Sequence, residues 1–269
     1  RKELLVEPIK IGILNLMQNK LETMRNFQMA LGDKVETRFY YSATRYVDRQ
    51  LDPRITDNMQ PLDLDEIKNL DGFIITGSPV EKLDFPQVSY FDEINDLIDL
   101  LDQLNIPQLY VCWGAMAALN RLYDIDKKVL PHKTFGVFQN QILIDTPLLN
   151  NIGDNFPAPH ARNAEMDHQQ LMENPDLMID AVSENGLLTL VESIKKHQTF
   201  IFSHLEYQKD GLDDELKREQ KSPKIKHPLP ATGYYSPLDH QPVFSWRQTQ
   251  QNFYNNWLQT IKEHKLTTC

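Results

Sequence analysis

Cysteine is nearly absent from this sequence. Only Cys112 and Cys269 occur among 269 residues, which excludes a disulfide-stapled fold and fits a chain kept in a reducing compartment. Cys269 ends a polar tail and reads as a frayed end, not as a disulfide partner. Basic residues are in deficit: 28 Lys and Arg stand against 38 Asp and Glu, a formal charge of −10. Nucleic-acid and anionic-membrane surfaces need basic patches, so neither partner is expected. No apolar run approaches the length of a membrane span, and the start Arg1-Lys-Glu-Leu-Leu-Val-Glu7 has no apolar signal-peptide core. Cytoplasmic localisation is the resulting expectation. Internal repeats and low-complexity tracts are missing too, and no metal centre is expected. What remains is a globular composition, 41% apolar and 25% charged, enough to bury a substantial α/β core.

The first half alternates β-branched or aromatic runs with amphipathic helical stretches, the pattern of a mostly parallel sheet covered by helices on both faces. Strands are predicted at Ile9–Leu16, Val35–Tyr41, Gly72–Thr76 and Pro107–Cys112, with helices near Lys20–Leu31, Leu64–Asn69 and Tyr90–Leu104. In the last of these Phe91, Ile94, Leu97, Ile98, Leu101 and Leu104 recur at helical spacing, which predicts the face that packs on the sheet. The second half reads differently. Phe135–Ile144, Leu187–Val191 and Gln198–Ser203 look like strands, and the last two lie close enough for antiparallel pairing. An acidic helix from about Gly211 to Lys221, an ordered Pro- and Tyr-containing loop from Ser222 to Pro242, and a helix from about Gln248 to Glu263 complete the chain.

Cys112 is the most informative residue. It ends an apolar strand and is followed at once by the helix-like run Trp113-Gly-Ala-Met-Ala-Ala-Leu119. A strand that ends in a nucleophile and turns sharply into a helix lifts the side chain above the sheet. The turn also points the next backbone N–H at a nascent oxyanion and aims the positive end of a helix dipole at the sulfur. Such a thiol would attack acyl carbonyls. Taken locally, the same string also fits a buried core thiol at a strand end.

A cysteine nucleophile needs a base within hydrogen-bond reach, and the base needs an orienting carboxylate. His204-Leu-Glu206, emerging from the apolar run Phe200-Ile-Phe-Ser203, supplies both residue types at a strand end. With eight histidines in the chain, that pair alone is equally compatible with a strand terminus and a solvated glutamate.

Several short motifs in fixed order carry a family resemblance. They are Asn15-Leu-Met17, Asp71-Gly-Phe-Ile-Ile-Thr-Gly-Ser-Pro79, Val111-Cys-Trp-Gly-Ala-Met-Ala-Ala-Leu-Asn120, Ala158-Pro-His-Ala-Arg162, His204-Leu-Glu-Tyr207 and Ser245-Trp-Arg247 before Asn256-Trp-Leu258. Together they resemble the homoserine O-acyltransferase family of methionine biosynthesis, often termed homoserine O-succinyltransferase, over nearly the whole chain. The resemblance implies a class I glutamine-amidotransferase-like α/β fold, a flavodoxin-like three-layer sandwich with extra antiparallel strands in the second half, as a single domain over residues 1–269. It implies Cys112 as nucleophile, His204 as general acid/base and Glu206 as its partner. Val80 and Trp113 match the backbone N–H donors of the oxyanion hole, worth roughly 3 kcal/mol per donor in comparable sites. Lys133 and Arg218 match the cationic substrate-binding residues, with His160, Arg162 and Tyr207 near the substrate. A homodimer is the family's expectation.

Glu81 stands where, as the resemblance suggests, a glycine leaves room for a succinyl group, so acetyl-CoA is favoured as co-substrate and no permanently bound cofactor is expected. The implied activity is ping-pong acetyl transfer from acetyl-CoA to the hydroxyl of L-homoserine through an acetyl-cysteine. Departures from the family pattern sit near the acceptor: Gln18 and Asn19 replace Pro and Lys, Ser203 a glycine, Leu205 a proline, Met116 a glutamine, and Ala161 a serine. Tyr110 occupies the position two before the nucleophile that is usually small, and the amino-terminal extension usual in the family is largely missing. These changes open L-serine, one methylene shorter, as an alternative acceptor in cysteine synthesis, a difference worth about 1 to 3 kcal/mol. Succinyl transfer, a stand-alone glutaminase-type hydrolase and a non-catalytic relative complete the alternatives.

Overall fold

The computed structural model describes residues 7–225 and 227–268, so Cys269 lies outside the described residues. The chain runs β1 (Ile9–Leu14), α1 (Lys20–Leu31), β2 (Val35–Tyr41), the one-turn helices α2 (Ala43–Tyr46) and α3 (Pro53–Thr56), β3 (Gln60–Pro61), β4 (Gly72–Ile75), α4 (Phe91–Leu104), β5 (Gln108–Val111) and α5 (Trp113–Tyr123). It continues through β6 (Lys127–Ile142), β7 (Asn155–Met166), α6 (His168–Glu173), β8 (Leu177–Ser183), β9 (Leu188–Ser193), β10 (Gln198–Ile201), α7 (Gly211–Gln220) and α8 (Arg247–Thr268). All strands join one ten-stranded sheet in the order β3-β2-β1-β4-β5-β10-β9-β8-β6-β7.

From β3 to β10 the neighbours are parallel, and from β9 to β7 they are antiparallel. The order β2-β1-β4-β5-β10 is that of a flavodoxin-like sheet, whose ligands collect at the carboxyl ends of the strands. Alternation along the strands divides the core in two. Ile11 and Ile13 pack with Phe27 of α1 and Trp257 and Ile261 of α8 on one face. Phe73, Ile75 and Tyr110 pack with Leu97 and Leu101 of α4 and Ala118 and Leu119 of α5 on the other. The expected apolar face of α4 is buried at Ile94, Leu97, Ile98 and Leu101.

Three expectations change. The helix near Leu64–Asn69 is a single 3-10 turn at Ile67–Asn69. The first strand stops at Leu14, because Asn15 turns the chain and accepts the Met17 amide on its side-chain oxygen at 3.2 Å. The expected Phe135–Ile144 strand is the second half of a sixteen-residue strand, Lys127–Ile142, paired with β7 on either side of an irregularity between Val129 and Thr134. β7 carries Pro157, Pro159, His160 and Arg162, residues that do not advertise a strand. Proline is tolerated there because β7 pairs only on its β6 side. The 222–242 segment is tied to the sheet through Thr232, which exchanges backbone bonds with Phe135 and Val137 across Gly136. A Cβ on Gly136 would lie 2.2 Å from the Thr232 oxygen, so only glycine permits this approach.

Candidate active site

Cys112 sits between β5 and α5 with φ 50° and ψ −111°. This backbone conformation is costly for a non-glycine residue and persists only where neighbours over-determine it. Its amide donates to the Ile201 carbonyl at 2.7 Å, and its carbonyl accepts the Met116 amide at 3.1 Å. Gly114 lets α5 start directly against the end of β4, where a Cβ would lie 2.7 Å from the Ile75 oxygen and 2.8 Å from the Thr76 oxygen. Tyr110 is accommodated on the opposite course, stacked on Phe200 with centroids 5.4 Å apart and its hydroxyl donating to Gln108 at 2.5 Å.

The neighbouring strand supplies the base. β10 pairs in parallel with β5 in the register Ile201↔Val111, so both strands end at the same edge of the sheet. Three residues on, His204 fixes its own backbone by donating its amide to Pro159 at 2.7 Å. Its Nδ1 lies 2.7 Å from Glu206 Oε1, and the Cys112 sulfur is near enough to act on the charge of the ring. Burial alone would push this imidazole down, but the Glu206 carboxylate and the Cys112 sulfur outweigh it and hold the pKa well above the ordinary range. Cys112, His204 and Glu206 are each at most 2% exposed. The sequence's two separate signals therefore meet as one thiol–imidazole–carboxylate array.

The Trp113 amide is a first-turn donor of α5, a position with no partner inside its own helix. The Val80 amide, matched to the same hole by resemblance, donates to the Ser78 carbonyl at 2.8 Å, so that peptide must turn before it serves an oxyanion. Gly77 lies between these loops, and a Cβ there would meet His204 Cε1 at 3.2 Å and Cys112 Cβ at 3.3 Å.

Tyr207 stacks on the His204 ring, centroids 4.5 Å apart, and donates its hydroxyl to Glu215 at 3.1 Å. Lys133 reaches the same carboxylate at 2.5 Å and Glu219 at 2.6 Å. Burial opposes the Lys133 charge, yet these two carboxylates lift its pKa. Arg218 pairs with Glu22 of α1 at 2.9 Å through one of its nitrogens. Glu81 is buried, its pKa raised first by that burial and further by Glu215, while the Asn163 amide and Lys133 oppose the rise. Thus Glu81, Lys133, Tyr207 and Glu215 share one electrostatic neighbourhood beside the triad.

His160 and Arg162 serve differently. His160 is fully buried, its Nε2 3.0 Å from Asn140 Oδ1, and burial followed by the charges of Arg162 and His204 depresses its pKa. Arg162 is bound inside the sheet layers by Glu165 at 3.0 Å and the Leu188 carbonyl at 2.7 Å, under the Phe202 ring. Both brace the strands behind His204, and one nitrogen of each, His160 Nδ1 and Arg162 Nε, is buried without a hydrogen-bond partner.

The family model for homoserine O-succinyltransferase matches residues 2–266. The chain belongs to the homoserine O-succinyltransferase family. Among curated relatives, proteins named serine O-acetyltransferase from Lactobacillus acidophilus and Lacticaseibacillus casei are both 43% identical, each over 96% of this chain and 97% of their own length. A homoserine O-succinyltransferase from Shewanella frigidimarina is 35% identical over 94% of this chain and 82% of its own. A homoserine O-acetyltransferase from Lachnospira eligens is 32% identical over 94% and 83%. In fold the chain is similar to a glutamine amidotransferase from Thermotoga maritima, with a TM-score of 0.61 at 10% identity over 96% of this chain and 98% of that one.

In this homoserine O-succinyltransferase-family chain several supporting residues were not foreseen from sequence. Gln250 and Trp246 clamp the turn after His204: Gln250 Nε2 donates to Leu205 O at 2.5 Å and Trp246 Nε1 to Tyr207 O at 2.9 Å. Lys20 is buried against the β1 turn, donating to Asn15 O at 2.7 Å and Met17 O at 3.1 Å. Burial, then the Arg45 charge, lowers its pKa to about 7. The Gln250 and Trp246 contacts join residues that only the folded chain brings together, whereas Lys20 closes a local turn onto Asn15 and Met17.

Proposed function

We propose that this protein is an amino-acid O-acetyltransferase that takes the acetyl group of acetyl-CoA onto Cys112 and passes it to the side-chain hydroxyl of L-serine. The observation that carries the reading is His204 held between the Cys112 thiol and the Glu206 carboxylate at the carboxyl ends of two adjacent parallel strands. A thiolate paired with an imidazolium attacks the thioester carbonyl, the Trp113 amide and a turned Val80 amide receive the oxyanion, and CoA leaves as the thioester bond breaks. His204 supplies the proton to the departing CoA thiolate. In the second half, neutral His204 removes the proton from the acceptor hydroxyl, whose oxygen attacks the acetyl-cysteine and restores the thiol.

Buried Glu81 supports acetyl over succinyl as the transferred group, since a second carboxylate would enter beside Glu81 and Glu215. The free part of the Arg218 guanidinium suits the acceptor's α-carboxylate. Serine is favoured over homoserine by the relatives of highest identity among those described and by Ala161, buried on β7 opposite Phe135, where the family pattern carries a hydroxyl. L-Homoserine is the second acceptor, supported by the family model and by the relatives at 32% and 35% identity.

The test is release of free CoA from acetyl-CoA and succinyl-CoA with each amino acid, for wild type and Cys112→Ala. Serine-dependent release from acetyl-CoA that vanishes in the variant is the expected result. Faster turnover with homoserine reassigns the acceptor. Acceptor-independent inactivity with both donors, together with ammonia release from glutamine, overturns the acyltransferase reading in favour of an amidohydrolase.

A further inference from the structure

In a sheet of order β2-β1-β4-β5, the chain leaves β1 toward β2 on one side and β4 toward β5 on the other, and these diverging connections open a crevice at the carboxyl ends of β1 and β4. Here that crevice is bounded by Leu16 and Met17 after β1 and by Thr76, Gly77 and Ser78 after β4. The Leu16 amide donates to Thr76 Oγ1 at 2.8 Å, and Ser78 Oγ approaches the Leu16 carbonyl at 3.5 Å. Its inner wall is Gly77, against Cys112 and His204.

Arg45, from α2 just beyond β2, stands over the outer lip. One nitrogen, Nη1, donates to the Leu16 carbonyl at 3.3 Å, and the guanidinium lies 5.3 Å from the Tyr90 ring and 5.5 Å from the Tyr46 ring. Tyr90 in turn bonds Ser78 at 2.7 Å and packs 6.1 Å from Trp113. Among the described residues Arg45 makes no ion pair, and neither does Lys20, which shares the Tyr46 ring. The nearby carboxylate of Glu93 is engaged by the Ser42 hydroxyl and the Ala43 and Thr44 amides. Arg45, whose guanidinium stays charged, therefore borders the crevice beside Lys20 with no carboxylate paired to either among the described residues, in a chain of charge −10. A bound anion would supply the missing counter-charge.

We propose that Arg45 is a phosphate-binding residue for the acyl-CoA donor. The inference rests on the acyl-CoA reading above. A thioester donor carries its phosphates at the far end of the pantetheine arm, so they lie on the rim and not at the nucleophile. A guanidinium stacked on aromatic rings keeps its edge free for bidentate phosphate contact. The acceptor's carboxylate has its own cation in Arg218, whereas the phosphates have none assigned.

The test compares acetyl-CoA, acetyl-dephospho-CoA and S-acetyl-N-acetylcysteamine, which lacks every phosphate, as donors for wild type, Arg45→Met and Arg45→Lys. Arg45→Met is expected to raise KM for acetyl-CoA by about tenfold, the loss of one charge-assisted contact. KM for the truncated donor and for serine should stay within twofold of wild type, and Arg45→Lys should fall between. Loss of the effect with acetyl-dephospho-CoA assigns the contact to the 3′-phosphate, and its retention to the pyrophosphate. An equal rise for the truncated donor, a rise confined to serine, or no change for acetyl-CoA overturns the proposal. CoA titration into Cys112→Ala, with and without Arg45→Met, separates the two levels: equal binding refutes the Arg45 role alone. Absence of CoA binding and of turnover in the parent refutes both. Thermal midpoints of the variants confirm that they fold.

Discussion

The Cys112 amide and the Ile201 carbonyl meet at 2.7 Å, and this bond ties the end of the Cys112 strand to the strand that leads into His204. The approach of Cys112 to His204 thus starts from sheet register. Sub-ångström placement of a nucleophile and base is worth orders of magnitude in rate, and a parallel ladder is a rigid way to obtain it.

Glu206→Gln is expected to keep the fold while lowering kcat by about 10⁴-fold, the size of the effect when a triad carboxylate is neutralised and the imidazole adopts the wrong tautomer. Steady-state rates beside an unchanged thermal transition check this. A loss of less than tenfold would show that Glu206 does not orient His204.

Two glycines should fail in different ways. Gly114→Ala drives a methyl against the Ile75 and Thr76 carbonyls at 2.7 and 2.8 Å, so stability should fall by about 1 to 3 kcal/mol, as for overpacking. Gly77→Ala meets only His204 and Cys112 side-chain atoms at 3.2 and 3.3 Å. Its main effect should be on turnover. Chemical denaturation and kinetics of the two variants should rank in opposite orders.

Glu81→Gly removes a buried carboxylate from the acyl neighbourhood. The ratio of kcat/KM for succinyl-CoA over acetyl-CoA should rise by tenfold or more, since about 1.4 kcal/mol of relieved repulsion already gives that factor. An unchanged ratio would remove Glu81 from donor selection.

Buried Asp180 on β8 and half-buried Glu192 on β9 form a carboxyl pair with Thr146 nearby. Burial, then the Glu192 charge, raises Asp180 to about 9. A carboxyl raised in the folded state contributes stability that is complete below its unfolded value near 4 and is lost as pH climbs to about 9. Wild type should therefore lose stability across that window more steeply than Asp180→Asn. Denaturation midpoints at several pH values measure the difference, and parallel slopes would contradict it.

The elbow was legible because it is local: an apolar run, a cysteine and a helix-forming run in one stretch dictate a strand–turn–helix. The same holds for α4, whose buried Ile94, Leu97, Ile98 and Leu101 are spaced as the sequence spaces them. β7 was not legible, since its prolines and its buried Arg162 make sense only beside β6 and Glu165. The Lys133 cluster escaped for the same reason. A lysine and two glutamates more than eighty residues away read as solvated charges until α7 is laid across β6.

Composition and periodicity alone determined that this chain forms a mostly parallel α/β sheet with a cysteine at a strand-to-helix turn, because those properties depend on neighbours within a few residues. Tertiary structure alone decided that His204 lies beside Cys112, that Arg162 is tied to its own sheet while Arg218 pairs through one nitrogen, and that Arg45 stands at the β1/β4 crevice without an ion-pair partner among the described residues. Those outcomes depend on strand order and on the distance between charges. Neither quantity is written in the spacing of residues along a chain.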